Sequence, residues 1–245
     1  MNVLYHSSWL LIRLVTKALF RIRVSGVENI PKTGGFIVAA NHISYFDPPL
    51  IGCWVPREMY YFAKQELFKS RLFGALLQRV NARPVKRGAI DRQALKTAVD
   101  AIARGYGLAI FPEGTRSGGG DFLSPKPGVG MIAREAKCPI VPCYVHGTNK
   151  LSKCLWGRQR LSITFGEPLT PGWVSSFPDR KDAFIEIAQT IMRRIAALRD
   201  RTLRQAHYFK EVALLTENKK RKKRLKFRRD LLYNLCYRVN IPVAR

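Results

Sequence analysis

Short, continuous apolar runs alternate along most of the chain with longer segments in which apolar positions recur every three or four residues. The runs are RIRV at 21–24, FIVAA at 36–40, MYYFA at 59–63, LAIF at 108–111, IVPCYV at 140–145 and LSITF at 161–165. A run without polar alternation is the pattern of a strand covered on both faces. Helical periodicity spans 65–78, 89–104, 128–137 and 180–199, and in the last Phe184, Ile187, Ile191, Ile195 and Leu198 form one stripe. This alternation predicts an α/β core domain with a mixed, largely parallel sheet flanked by helices. Gly and Pro concentrate at 112–130, which predicts one long loop of the kind that carries function.

Ahead of the first run, Leu11, Ile12, Leu14, Val15, Ala18 and Leu19 share one side of a helix, and Arg13, Thr16, Lys17 and Arg21 share the other. With Trp9 near its start and Arg21 and Arg23 at its end, the segment reads as an amphipathic helix lying in a membrane interface. A helix capping the domain core fits the same pattern. Arg13 and Lys17 interrupt what would need to be about 18 to 20 apolar residues to cross a bilayer, so neither a spanning helix nor a cleaved leader is expected.

Charge sharpens this picture. The chain of 245 residues carries 43 Lys plus Arg against 17 Asp plus Glu, a net +26, while its 47% hydrophobic content suffices for a full core. Residues 201–245 hold 14 Lys or Arg and 3 Asp or Glu, and their centre, Lys219 to Arg229, contains no acid. Such a run faces water or an anion: lipid headgroups, nucleic acid or an acidic carrier protein. Basic ends at both termini favour an anionic membrane surface. The expected organisation is an interface helix and lead-in at 1–24, the α/β core domain at 25–200 and a basic helical extension at 201–245. The expected location is the cytoplasmic face of a membrane, peripheral or monotopic, which is the inner membrane in a bacterium. The five cysteines include no C-x-x-C pair and their number is odd, which fits reduced, buried thiols and gives no metal-site spacing.

Two segments carry candidate chemistry. Strand 36–40 runs into Asn41-His42-Ile43-Ser44-Tyr45-Phe46-Asp47-Pro48. A His followed five positions later by an Asp can form a general base whose second ring nitrogen is held by a carboxylate. The same residues also suit a helix opened by Pro48 and capped by Asp47. After the strand at 108–111 comes Phe111-Pro112-Glu113-Gly114-Thr115-Arg116-Ser117, then Gly118, Gly119 and Gly120. Amides of a Gly-containing loop and a guanidinium fork make a phosphate site. Arg83-Pro84-Val85-Lys86-Arg87 adds cations at another strand end. Gly128-Val-Gly-Met-Ile-Ala133 mimics a dinucleotide loop but lacks a preceding strand and reads as a helix start. His146 reads as a turn residue, and His6 and His207 as structural or interfacial.

Taken together, His42 with four residues before Asp47, and Phe111 to Ser117, resemble the motifs of the glycerolipid acyltransferases, above all the 1-acylglycerol-3-phosphate (lysophosphatidic acid) acyltransferases. Gly26 to Pro31 and Ile140-Val141-Pro142 resemble that family's flanking blocks, so the likeness covers about residues 10 to 200. It implies transfer of a fatty acyl group from acyl-carrier protein or coenzyme A to the sn-2 hydroxyl of lysophosphatidic acid, with no bound cofactor or metal. It implies His42 as base and Asp47 as its support. Glu113, Gly114, Thr115 and Arg116 would shape the glycerol-phosphate pocket, with Arg87 as a further phosphate ligand. Backbone amides or Lys86 would face the oxyanion. Lys86 before Arg87, with Arg83 nearby, departs from the family's second block, which makes Arg83 and Lys86 rivals of Arg87. Other readings are an acyltransferase for another lysolipid, such as lyso-ornithine lipid or a lysophospholipid, a nucleic-acid-binding protein, or a non-catalytic lipid-binding scaffold. No recognised nucleic-acid module supports the nucleic-acid reading, and no specific nucleic acid is expected as a partner.

Overall fold

The computed structural model describes residues 3–86, 91–118, 121–206 and 208. The strands are β1 (Arg23–Ser25), β2 (Phe36–Ala40), β3 (Met59–Lys64), β4 (Ala82–Val85), β5 (Gly107–Ile110), β6 (Ile140–His146) and β7 (Ser162–Phe165). The helices are α1 (Val3–Phe20), α2 (Asp47–Trp54), α3 (Arg71–Arg79), α4 (Arg92–Ala103), α5 (Gly128–Ala136), α6 (Leu151–Leu155), α7 (Pro171–Ser175) and α8, residues 181–199. The chain divides into two compact units, Met1–Arg199 and Asp200–Arg245. In the second, residues 200–206 and 208 are helical, and the basic run from Lys219 lies outside the described residues.

One seven-stranded sheet runs β1-β7-β6-β2-β5-β3-β4. Only the β6/β7 pair is antiparallel, so the sheet is mixed and largely parallel, as the uninterrupted apolar runs predict. Strand β4 holds Pro84, and a proline cannot donate to a ladder, so this strand sits at the sheet's end. The expected helix at 65–78 is split into a 3-10 turn, Gln65–Phe68, and α3, because Ser70 takes an extended conformation and its side chain accepts from the Phe73 amide as an N-cap.

Alternate residues of β2 feed two cores. Ile37 and Ala39 join α4, α5 and α8 on one face, while Phe36, Val38 and Ala40 join α1 and α2 on the other. On the first face the helices bury apolar side chains in the usual way, and Gly130 of α5 lets α8 approach so closely that a Cβ there would lie 2.3 Å from the Phe184 carbonyl oxygen.

On the second face α1 is turned inside out. Its inward side carries Trp9, Ile12 and Phe20 together with polar groups. The Tyr5 hydroxyl accepts from the Met59 amide at 2.9 Å, the Trp9 indole donates to the Val55 carbonyl at 3.2 Å, and His6 meets Glu58 at 2.9 Å. Arg13 lies 4.9 Å from the Trp9 ring and 4.6 Å from the Trp54 ring, and Thr16 is buried. The outward side is Leu10, Leu11, Leu14, Val15 and Leu19, with Leu11 62% exposed. Arg13 and Thr16 therefore face the protein, whereas the sequence pattern alone places them towards water, and Ile12 leaves the outward stripe for the core. No described helix is long and apolar enough to cross a membrane.

Candidate active site

Strands β2 and β5 are parallel neighbours, but their following helices leave to opposite faces: α2 packs into one core and α5 into the other. Where adjacent strands send their connections apart, a crevice opens at their carboxyl ends, and ligands bind there in open α/β sheets. His42 follows β2 and Phe111 follows β5, so both candidate motifs meet in that crevice.

The chain leaving β2 is bolted in place before it turns. The Asn41 side-chain amide donates to the Val145 carbonyl at 3.0 Å, and its oxygen accepts from the Val145 amide at 2.8 Å, a substitute for strand pairing with β6. His42 Nδ1 then lies 2.8 Å from Asp47 Oδ2. The same oxygen accepts from the Ile43 amide at 2.7 Å and the Ser44 amide at 2.8 Å, and Oδ1 accepts from Thr148 Oγ1 at 2.5 Å. Asp47 is wholly buried. A buried carboxylate costs several kcal/mol unless its lone pairs are taken, and here the His42 ring, two amides and a hydroxyl take them.

With the carboxylate saturated by donors, Nδ1 carries the proton and Nε2 holds the free lone pair. Phe111 stacks on the imidazole at 4.1 Å and 22°, fixing the ring plane. Helix α2 does begin at Asp47 with Pro48 in its first turn, but no side chain caps it. The Asp47 carboxylate turns back to His42, so the proline opens the helix and the aspartate serves the histidine.

Glu113 is buried and both its oxygens are engaged by backbone: Oε1 accepts from the His42 amide at 3.0 Å, and Oε2 from the Leu123 amide at 2.9 Å. The Ser117 amide donates to the His42 carbonyl at 2.8 Å. The loop after β5 is thereby tied to the histidine from both sides. Gly114 turns at φ +69 and, with Thr115 and Arg116, is exposed at the crevice mouth. The Arg116 guanidinium lies over the Tyr45 ring at 3.5 Å. Lys86 is exposed at the end of β4, its backbone amide donating to Asp91. Since β4 stands three strand positions from β2, Lys86 lies about 14 Å across the sheet from the histidine strand. Arg83 is committed elsewhere, donating to the Gln78 and Ala82 carbonyls and stacking on Tyr60. Arg87 lies outside the described residues.

Thr148 is the residue that motif spacing misses. It stands 101 positions from Asp47 in sequence and reaches it because Gly147, at φ +92, turns the chain back after β6. Reading His146 as a turn residue locates this bend, but the partner of Thr148 depends on β6 lying beside β2.

Residues 21–146 match the family model described as Acyltransferase, which spans half of the chain. The chain belongs to the acyltransferase family. This acyltransferase is 29% identical over 181 residues to the 1-acyl-sn-glycerol-3-phosphate acyltransferase of Bacillus subtilis, a match covering 74% of the chain and 89% of that relative. It is 30% identical over 162 residues to the enzyme of the same name from Streptococcus pneumoniae, covering 65% of the chain and 57% of the relative. Its fold is similar to the crystal structure of the 1-acyl-sn-glycerophosphate (LPA) acyltransferase PlsC from Thermotoga maritima, with a TM-score of 0.63, 28% identity, and 80% and 79% of the two chains covered.

Proposed function

We propose that this acyltransferase moves a fatty acyl group from a thioester, on acyl-carrier protein or coenzyme A, to the sn-2 hydroxyl of lysophosphatidic acid, forming phosphatidic acid at a membrane surface. The carrying observation is the His42–Asp47 pair, whose Nδ1 is committed to a saturated carboxylate and whose Nε2 holds a lone pair. Nε2 takes the proton of the acceptor hydroxyl as its oxygen attacks the thioester carbonyl. Asp47 holds the imidazole and stabilises the cation that forms. The tetrahedral intermediate collapses with loss of the thiolate, which receives the same proton, so no acyl-enzyme is needed.

Of the two candidate oxyanion donors, the span of about 14 Å to Lys86 favours backbone amides near the crevice. Arg116, exposed beside Tyr45 at the mouth, is assigned to the acceptor phosphate, with Gly114 and Thr115 forming the adjoining wall. Glu113 contributes by fixing the backbone of His42. The names of the relatives support this acceptor. The outward leucines of α1 support a lipid surface, since an apolar stripe facing away from the core is satisfied by acyl chains.

Product analysis by mass spectrometry tests the reading. Protein given oleoyl-coenzyme A or oleoyl acyl-carrier protein with lysophosphatidic acid should yield phosphatidic acid, and His42→Ala should lower the rate by about a thousandfold or more. Turnover of His42→Ala near the wild-type rate would remove the assigned base. Equal turnover of a monoacylglycerol lacking phosphate would remove the role of Arg116, and preference for lyso-ornithine lipid or a lysophospholipid would change the acceptor.

A further inference from the structure

Beyond the crevice and α1, one small element exposes a large aromatic at a firmly built turn. Helix α6 ends at Leu155 and Trp156, which are 49% and 77% exposed. Exposure here is not the consequence of a loose loop. The Trp156 amide donates to the Ser152 carbonyl at 3.2 Å, Gly157 to Cys154 at 3.1 Å, and Arg158 and Gln159 both to the Lys153 carbonyl at 2.8 and 3.1 Å. Gly157 makes the turn at φ +68. Leu151 and Cys154 anchor the inner side of the element in the α1/α2 core, and α6 packs against α1 itself. Around the tip stand Lys150, Lys153, Arg158 and Arg160, all exposed, and residues 147–160 contain no Asp or Glu.

A rigid turn that holds Leu and Trp in water loses the free energy their burial would give, and four cations around them draw that surface to a negative partner. A tryptophan at the tip with cations set behind it is the composition that sits at the headgroup boundary of a bilayer. An acidic protein would satisfy the cations, but it would leave the continuity with α1 unexplained: both elements lie on one face of the sheet and both turn leucines outwards.

We infer that the α6 tip is a second lipid anchor, with Leu155 and Trp156 entering the headgroup and upper acyl region of an anionic bilayer while Lys150, Lys153, Arg158 and Arg160 pair with its phosphates. The inference rests on the lipid-surface reading of α1 and adds a second point of attachment, which fixes the rotation of the domain about the α1 axis.

The test uses the full chain and vesicles of phosphatidylcholine with or without phosphatidylglycerol. Leu155→Ser with Trp156→Ser should lower partition onto the anionic vesicles by about tenfold or more, with the melting temperature and the rate on detergent-dispersed substrate unchanged. Brominated acyl chains should quench a part of the wild-type tryptophan emission that Trp156→Phe lacks. Leu11→Ser with Leu14→Ser on α1 is the companion variant. If it loses binding while the tip variant binds as wild type, the tip is no anchor and the reading of α1 stands. If both bind as wild type, the lipid-surface reading falls and the anchor falls with it. If the tip variant keeps vesicle binding but slows only with the carrier-protein donor, the tip docks an acidic protein and the inference is overturned.

Discussion

The helices packed on the first face of the sheet and α1 on the second handle apolar surface in opposite ways, while α2 beside α1 buries Leu50, Ile51 and Cys53 in the ordinary manner. On one face, α4 buries Ala94, Ala98, Ala101 and Ile102, α5 buries Val129, Ile132 and Ala133, and α8 buries Ile187, Ile191 and Ile195. On the other, α1 buries a threonine and packs an arginine between tryptophans while five of its Leu and Val side chains from Leu10 to Leu19 point outwards. The first face is built for folding: each residue removed from water stabilises the domain. The second holds its helix with aromatic, hydrogen-bonded and cation–π contacts, and the described residues leave its leucines uncovered. An amphipathic stripe thus reports where apolar surface is needed, and the packing of the other side reports whether the protein itself supplies the cover.

The largest expected effect separates the faces directly. Ile191→Ala removes a fully buried side chain from the α8 seam and should cost about 3 kcal/mol, lowering the melting temperature by about 10 °C. Thermal melts should show it with or without vesicles. The next largest is the mirror image: Leu11→Ser with Leu14→Ser should weaken partition onto anionic vesicles by about a hundredfold and change stability by about 0.5 kcal/mol or less. A drop in melting temperature as large as that of Ile191→Ala would show that the α1 stripe is covered by protein, and the contrast between faces would collapse.

How much of this could be read in advance follows the same division. The uninterrupted runs at 36–40 and 140–145 were legible as strands because burial on both faces leaves its mark on the strand's own residues. Ala82–Val85, with Arg83 and Pro84, carried no such run, since an edge strand needs less covering. The helical period of α1 was legible and its orientation was not: that depends on two tryptophans, Trp9 and Trp54, 45 positions apart closing on Arg13. In the crevice, the spacing of His42 and Asp47 left a paired base and a helix cap both open, and only the likeness of the two motifs together to the glycerolipid acyltransferases pointed to the pairing. The hold of Thr148 on Asp47, and of Glu113 on the His42 amide, arises from strand order, in which β6 and β5 flank β2, and no local pattern encodes that order.

A smaller effect probes the line where the two faces meet. Thr148→Val keeps shape and removes the hydroxyl from Asp47, so kcat should fall by about tenfold while KM for the acceptor stays within about twofold. Thr148→Ser should restore most of the rate, since a hydroxyl in the same place recovers the bond. A variant whose kcat and melting temperature both match wild type would mean that Asp47 needs only the histidine and the two amides. An equal loss in Thr148→Ser and Thr148→Val would mean that the methyl group, not the hydroxyl, holds the turn after Gly147.

The smallest expected effect lies one turn away, at His146 on the end of β6. Burial, aided by the charge of Lys150, lowers its pKa below the usual 6.5. Its ring nitrogens meet the Tyr144 hydroxyl at 3.4 Å and the Gln159 side-chain amide at 3.2 Å, the latter donating to Nε2. Between the folded value and 6.5 the unfolded chain takes up a proton that the folded chain refuses. Stability therefore declines as pH falls below 6.5 and has lost this contribution once pH passes the folded pKa. Chemical denaturation between pH 8 and pH 5 should show that decline, and His146→Gln should flatten it. Because Lys150 belongs to the α6 tip, anionic vesicles that neutralise its charge should make the decline shallower in the wild type and leave His146→Gln unchanged. A decline unaltered by vesicles would mean that burial beside Tyr144 and the α4/α5/α8 core sets the shift by itself, and that Lys150 stays clear of the lipid.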